Sequence, residues 1–347
     1  MRIVRYIVIV LTLAILMQVI FTALVIHFGT PATIDTNDSR KTIFQTDSKM
    51  AVYGSPVVAR ASDKPQIVIL GSSNTTMGLR PDKLQPYLGA IPIHNLSIGS
   101  EKFRAIGQTV DLLYRQTAPA NRHHYIFVIG LSYPLIADEG KERHGQTSMD
   151  DEEQRFGLFM KTDHGSAARL DDRYLSAALQ YSWPFLTPKA LYNAIIRLAP
   201  DPYQFGLAEP VPFSAEESNV VQYSEAQHQE RIAYYNAEII DRTGEYTFDP
   251  LLKVIGRITA TGGEVVIVDL PTAGWLQRAT PLYAAYRTLR APYISRLEQM
   301  PHVRYINAEK GFADADFYDG IHPRNRITGD IARVVAPTIK QAVEEDR

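Results

Sequence analysis

Two short stretches carry residue types that can do covalent chemistry. Late in the chain, Asp319-Gly320-Ile321-His322-Pro323 supplies an Asp-x-x-His pair. Far upstream, Gly71-Ser72-Ser73 directly follows the apolar run Ile67-Val68-Ile69-Leu70. A serine hydroxyl is inert at neutral pH until a positioned base takes its proton. Histidine is the usual base, and a carboxylate fixes its ring and tautomer. Ser73, His322 and Asp319 are therefore candidates for nucleophile, base and orienter. Each stretch alone also has a plainer reading. Ser72, Ser73, Asn74 and Thr75 can turn the chain or cap a helix. Asp-Gly is a common turn dipeptide, and His322 can sit on a surface loop.

The elements that must bring these residues together are legible as an alternation. Short apolar runs at Gln66–Leu70, 93–96, 125–129, 264–270 and Val303–Asn307 read as buried parallel strands. Between and after them, Pro81–Leu88, Phe103–Gln116, 249–261, 282–299 and 325–344 read as helices. Strand, loop and helix in turn predict an α/β fold, with helices on both faces of a parallel sheet. Ligands of such sheets bind beyond the C-terminal strand ends. Ser73, Gly99, Ser132 and His322 all fall in such loops.

Residues 138–245 break this rhythm. They hold the acidic run Asp150-Asp151-Glu152-Glu153, several Tyr and Pro, and helix-like stretches at 174–181 and 225–241. The expectation is a mainly helical insertion over the strand ends, with a separate domain as the alternative. The domain plan is then an anchor at 1–28, a linker at 29–63 with a short helix near 39–45, and an α/β domain at 64–345.

The anchor is the run 6–27, YIVIVLTLAILMQVIFTALVIH. A bilayer core needs about 20 apolar residues as helix. A signal peptide is the rival reading, but its apolar core is roughly 7–15 residues long and ends in a small-residue cleavage site. Arg2 and Arg5 precede the run, and the next basic residue is Arg40. The positive-inside rule then puts the N-terminus in the cytoplasm and the rest outside it. With 347 residues, 45% of them hydrophobic, the remainder can build a large core. The net charge of −2 gives no electrostatic footprint for nucleic acid. The absence of Cys excludes disulfides, thiolate nucleophiles and thiolate metal sites.

The order Ser, Asp, His, with the last two only three apart, differs from the Gly-x-Ser-x-Gly hydrolases, whose elbow is missing here. It resembles the SGNH, or GDSL-like, hydrolase superfamily, with four short blocks in order across residues 66–340. That resemblance implies a three-layer, flavodoxin-like domain. It implies Ser73 as nucleophile with Ser72 in the usual Asp position, and Asp319 and His322 as the other triad members. It also implies an oxyanion hole from the N–H groups of Ser73 and Gly99, Ser100 being one register away. The third block normally carries an Asn that completes the hole. Here the segment reads Gly130-Leu131-Ser132-Tyr133, so Ser132 or Asn74 must stand in for it.

A membrane-anchored member with these departures is similar to proteins of cell-envelope polysaccharide O-acylation and teichoic-acid D-alanylation. The resemblance implies an extracytoplasmic serine O-acyltransferase or esterase at the bacterial inner membrane, facing the periplasm. Its substrate would be a polysaccharide and its partner a membrane-bound O-acyltransferase, with neither cofactor nor metal. The alternative is a catalytically weak glycan-binding or scaffold partner of that acyltransferase. Other features read as ordinary structure. His123-His124, His144 and His164 lack ligand spacing. Trp183, Tyr181, Phe185, Tyr192 and Tyr203 suit packing as well as sugar stacking.

Overall fold

The structure is a computed structural model that describes residues 2–28, 55, 58–59, 61–98, 103–132, 159–162, 165–168, 224–240, 248–309 and 311–345. In chain order the strands are β1 (Gln66–Leu70), β2 (Ile93–Asn95), β3 (Tyr125–Leu131), β4 (Phe159–Thr162), β5 (Gly165–Ala168), β6 (Glu264–Asp269) and β7 (Val303–Asn307). The helices are α1 (Arg2–Phe28), α2 (Ser73–Gly78), α3 (Pro81–Leu88), α4 (Phe103–Gln116), α5 (Glu225–Ile240), α6 (Asp249–Thr259), α7 (Gly274–Ala279), α8 (Pro281–Leu297) and α9 (Asn325–Glu345).

Five strands form one parallel sheet in the order β2-β1-β3-β6-β7. The fold is α/β. Numbered within the sheet alone, this is the order 2-1-3-4-5 of flavodoxin-like doubly wound proteins. The order reverses at β1, so the crevice beyond β1 and β3 is the topological switch point, where such sheets bind ligands.

Strand side chains alternate between two apolar clusters, as the two-residue period requires. Val68, Leu70, Phe127, Ile129, Val265 and Ile267 pack with Phe103, Ile106, Val110 and Leu113 of α4 and Leu251, Ile255 and Ile258 of α6. Ile67, Ile69, Ile126, Val128, Val266 and Val268 pack on the other face. There they meet Leu84 and Leu88 of α3 and the stripe Ile327, Ile331, Val335 and Ile339 of α9. That four-residue spacing is one side of a helix. With both faces covered, β1, β3 and β6 are buried along their whole length, the pattern of a parallel sheet. At the end of β6, the buried Asp269 accepts hydrogen bonds from Tyr286 (2.6 Å), Tyr305 (2.7 Å) and Arg290, tying α8 to the β6–β7 edge.

The insertion differs from its expectation where it is described. Besides α5 it carries an antiparallel hairpin, Phe159–Thr162 paired with Gly165–Ala168. Four-residue strands are too short to show a periodicity of their own. The stretch 174–181, the acidic run 150–153 and the linker helix at 39–45 lie outside the described residues. Helix α1 runs for 27 residues, and its described side chains are residues 3–17 and 20. Among the described residues no helix is long and apolar enough to cross a membrane.

Candidate active site

Ser73 opens α2, immediately beyond β1. The backbone gets there through Gly71, whose φ of +149° suits a residue without Cβ. A Cβ at Gly71 would also stand 2.2 Å from Thr75 Oγ1, and one at Gly130 would stand 2.3 Å from the same atom. Thr75 thus fills the gap between two glycines at the ends of neighbouring strands. Its hydroxyl donates to the Gly130 carbonyl at 3.4 Å. The first turn of α2 closes on Ser72, whose carbonyl accepts from the N–H of Thr75 (2.9 Å) and Thr76 (3.1 Å). The Ser72 hydroxyl donates to Asn74 Oδ1.

The Asp-x-x-His loop lies between β7 and α9 and is braced at several points. Phe317 and Pro323 form an antiparallel bridge, and Tyr318 N–H donates to the His322 carbonyl at 2.9 Å. Arg324 is buried and donates to the Phe317 carbonyl at 3.1 Å. Asp319 Oδ1 accepts the N–H groups of Ile321 (3.3 Å) and His322 (3.1 Å). This is the local turn an Asp side chain favours. The same three-residue spacing lets the carboxylate reach the ring of His322, whose Nδ1 lies 2.9 Å from Oδ1 and 2.8 Å from Oδ2. Gly320 has φ +94°, and a Cβ there would stand 2.7 Å from Trp275 of α7. Only glycine fits that turn.

The two stretches meet. His322 Nε2 stands 2.7 Å from Ser73 Oγ. An ionised carboxylate only accepts, so Nδ1 carries the ring proton and Nε2 is left to accept from the serine hydroxyl. Burial pushes the Asp319 carboxyl up. The hydrogen bonds and charge of His322, together with Arg231, outweigh it and hold the group below the ordinary carboxylate range. Asp319 is thus an anion when its neighbour needs one. The arrangement has the order and spacing of a nucleophile, base and orienter.

Two of the remaining candidates are also described. Asn74 is buried beside Ser73. Ser132 follows β3, is buried, and its hydroxyl has no hydrogen-bond partner among the described residues. Gly99, Ser100 and Tyr133 lie outside the described residues, as do His144, His164, Tyr181, Trp183, Phe185, Tyr192 and Tyr203. His123 and His124 sit together on a 3-10 turn, Pro119–His124, with ring centres 3.8 Å apart. No group of three or more metal-type ligands occurs among the described residues.

Three contributors were not singled out in the sequence. Thr75 is the wedge described above. Trp275 backs Gly320 and stacks on His228 of α5, with ring centres 4.3 Å apart. Arg231 of α5 lies 3.7 Å from Asp319 Oδ2. A pocket of about 160 Å³ opens beside the loop, walled by His228, Trp275, Tyr318, Gly320 and Arg324 among others. The only advance signal for Arg231 was its place on a stretch expected to be helical.

No family model matches the chain, and no curated protein matches it. Among solved structures, a "putative acylhydrolase" from Bacteroides fragilis is similar, with a TM-score of 0.40 and 11% identity, covering 82% of this chain and 95% of that one. A likeness at that level carries neither activity nor substrate to this protein.

Proposed function

We propose that the protein is a serine-dependent acyl-transfer enzyme, an extracytoplasmic, membrane-anchored O-acyltransferase or esterase that acts on a cell-envelope or secreted polysaccharide. The observation that carries the reading is the unbroken chain of contacts from Ser73 Oγ through His322 to Asp319.

The reaction runs in two displacements. His322 Nε2 takes the Ser73 proton as Oγ bonds to the acyl carbon of the donor, and the carbonyl electron pair moves onto oxygen. Asp319 stabilises the imidazolium that forms. The adduct collapses, the bond to the donor breaks, and the leaving group takes the proton from Nε2. A sugar hydroxyl or water then gives its proton to His322 and attacks the acyl-serine. Ser73 leaves and is reprotonated. The transient oxyanion needs donors aimed at it. Ser73 N–H lies in a first helical turn, where N–H groups have no partner within the helix. Ser132 has a buried hydroxyl without a partner among the described residues, and it follows β3 on the other side of the switch point. The N–H of Gly99 is the further donor that the family resemblance implies.

The polysaccharide acceptor and the membrane-bound acyltransferase partner rest on the family resemblance. The anchor rests on the apolar run 6–27 with its flanking Arg2 and Arg5.

The test is acylation by an aryl acetate. Full-length protein in detergent is incubated with the ester, and the peptide bearing Ser73 is examined for an acetyl adduct, with Ser73→Ala as control. A Ser73-dependent adduct or turnover supports the enzyme, and added oligosaccharide acceptors then separate transfer from hydrolysis. A folded protein with neither adduct nor turnover would instead support the scaffold partner of an acyltransferase.

A further inference from the structure

The insertion between β3 and α6 reaches the catalytic loop through α5. His228, Arg231 and Ile232 are three and four residues apart, so they share one face of that helix. Ile232 packs on the apolar core. His228 stacks on Trp275, and Trp275 in turn fills the space beside Gly320. Arg231 stands 3.7 Å from Asp319 Oδ2, the oxygen that also faces His322 Nδ1. One helix face therefore holds the catalytic loop at two successive residues, by shape at Gly320 and by charge at Asp319.

We propose that Arg231 is a positioning residue, which shares the Asp319 carboxylate with His322 and makes the charge balance of the triad depend on the docking of α5. This rests on the acyl-transfer reading for its purpose, but the coupling itself is a property of the three side chains. At 3.7 Å the contact is an ion pair rather than a short hydrogen bond. The Arg231 side chain is 38% exposed and that of Asp319 is 10% exposed, so the pair is partly screened by salt.

The sign of the effect follows from the charges. A guanidinium beside the Asp319–His322 pair opposes a second positive charge on the imidazole ring. Removing it lets the carboxylate act on His322 alone and makes the ring more basic. Few other groups face the pair among the described residues. Ser73 of α2 meets the ring, and the N–H groups of Ile321 and His322 meet the carboxylate. Trp275 of α7 is uncharged. On the loop itself Asp314 is bound to Arg278 and Trp275 N–H, Asp316 is bound to Arg326, and Arg324 is turned onto Phe317 and Tyr318.

The experiment is a side-chain NMR titration of His322 in the full-length protein in detergent, assigned with His322→Gln. Arg231→Met is expected to raise the titration midpoint by about half a pH unit, the scale of one partly screened charge a few ångströms away. Arg231→Glu should raise it further, and Arg231→Lys should return it close to the parent value. The shift should shrink in roughly 1 M salt. Midpoints unchanged in both Arg231→Met and Arg231→Glu would overturn the proposal. The titration needs no activity, so it stands apart from the acyl-transfer reading. A moved midpoint without Ser73 acylation keeps the coupling and sinks the enzyme. Acylation with an unmoved midpoint does the reverse. If the enzyme is active, Arg231→Met should lower kcat with KM unchanged, as expected of a group acting through the base.

Discussion

Thr75 occupies the space that a side chain at Gly130 would need. A Cβ on Gly130 would stand 2.3 Å from Thr75 Oγ1, 2.7 Å from Cγ2 and 2.9 Å from Cβ. The wedge sets the start of α2 against the end of β3, and so sets where Ser73 stands. Gly130→Ala should therefore destabilise the protein by about 1–3 kcal/mol, the usual cost of overpacking. Adding Thr75→Ala should recover part of that loss, because the two closest atoms are then gone while Thr75 Cβ, at 2.9 Å, remains. Gly71→Ala should not be rescued in the same way. Its φ is +149°, and Thr75 Cβ itself would lie 2.7 Å away. Urea unfolding of the two double-mutant cycles measures this, and equal rescue at both glycines would contradict the wedge.

Asp319→Asn should leave the loop folded and the chemistry crippled. An Asn amide has donors as well as an acceptor, so it can turn an N–H toward His322 Nδ1 and favour the wrong tautomer. A loss in kcat of roughly 10⁴ is expected from the same change in a Ser-His-Asp site. Ser73→Ala should abolish acyl-enzyme altogether. Stopped-flow hydrolysis of an aryl ester and intact-protein mass measure the two effects. An Asp319→Asn enzyme within tenfold of the parent would remove Asp319 from the role of orienter.

The contact of Ser73, His322 and Asp319 was legible because part of it is written locally. Asp319 and His322 are close enough in sequence for one side chain to reach the backbone and the ring of the other, so a short motif implies its own geometry. The strands were legible because burial on both faces leaves continuous apolar runs, as in Glu264–Asp269. Their ends moved by a residue or two, β3 reaching Leu131 and β2 stopping at Asn95. Helix α7 and the β4–β5 hairpin were missed because elements of four to six residues are too short to carry a period. Thr75 and Arg231 were illegible for a different reason. Each acts on a residue distant in sequence, through a contact that exists only once the sheet or the insertion has packed. A lone Thr or Arg carries no local mark of that.

His94 should make stability fall on mild acidification. Burial lowers its pKa from 6.5 to about 4, and its Nε2 faces Gln66 Oε1 at 3.1 Å. The unfolded chain then binds a proton in a range where the folded one does not. Stability from this group is complete above pH 6.5 and is lost as pH falls toward 4. At 1.36 kcal/mol per unit, the loss is at most about 3 kcal/mol. Chemical denaturation at pH 7 and at pH 4.5 should show that slope in the parent and a shallower one in His94→Gln. Parallel slopes would show that His94 does not titrate differently on folding.

Ser132 offers a way to tell a functional hydroxyl from a structural one. Its Oγ is buried and has no hydrogen-bond partner among the described residues, and a buried polar group left in that state costs about 1–3 kcal/mol. A purely structural position would gain from losing it. If Ser132 donates to the oxyanion in place of the missing Asn, its hydroxyl goes unsatisfied in the resting protein and is satisfied only as charge develops. Ser132→Ala should then raise stability by about 1 kcal/mol and lower kcat by roughly 10²–10³, the cost of one lost oxyanion donor. Paired measurements of urea midpoint and kcat on one preparation decide it. A more stable variant with undiminished kcat would take Ser132 out of the oxyanion hole and leave the backbone N–H groups to hold the charge.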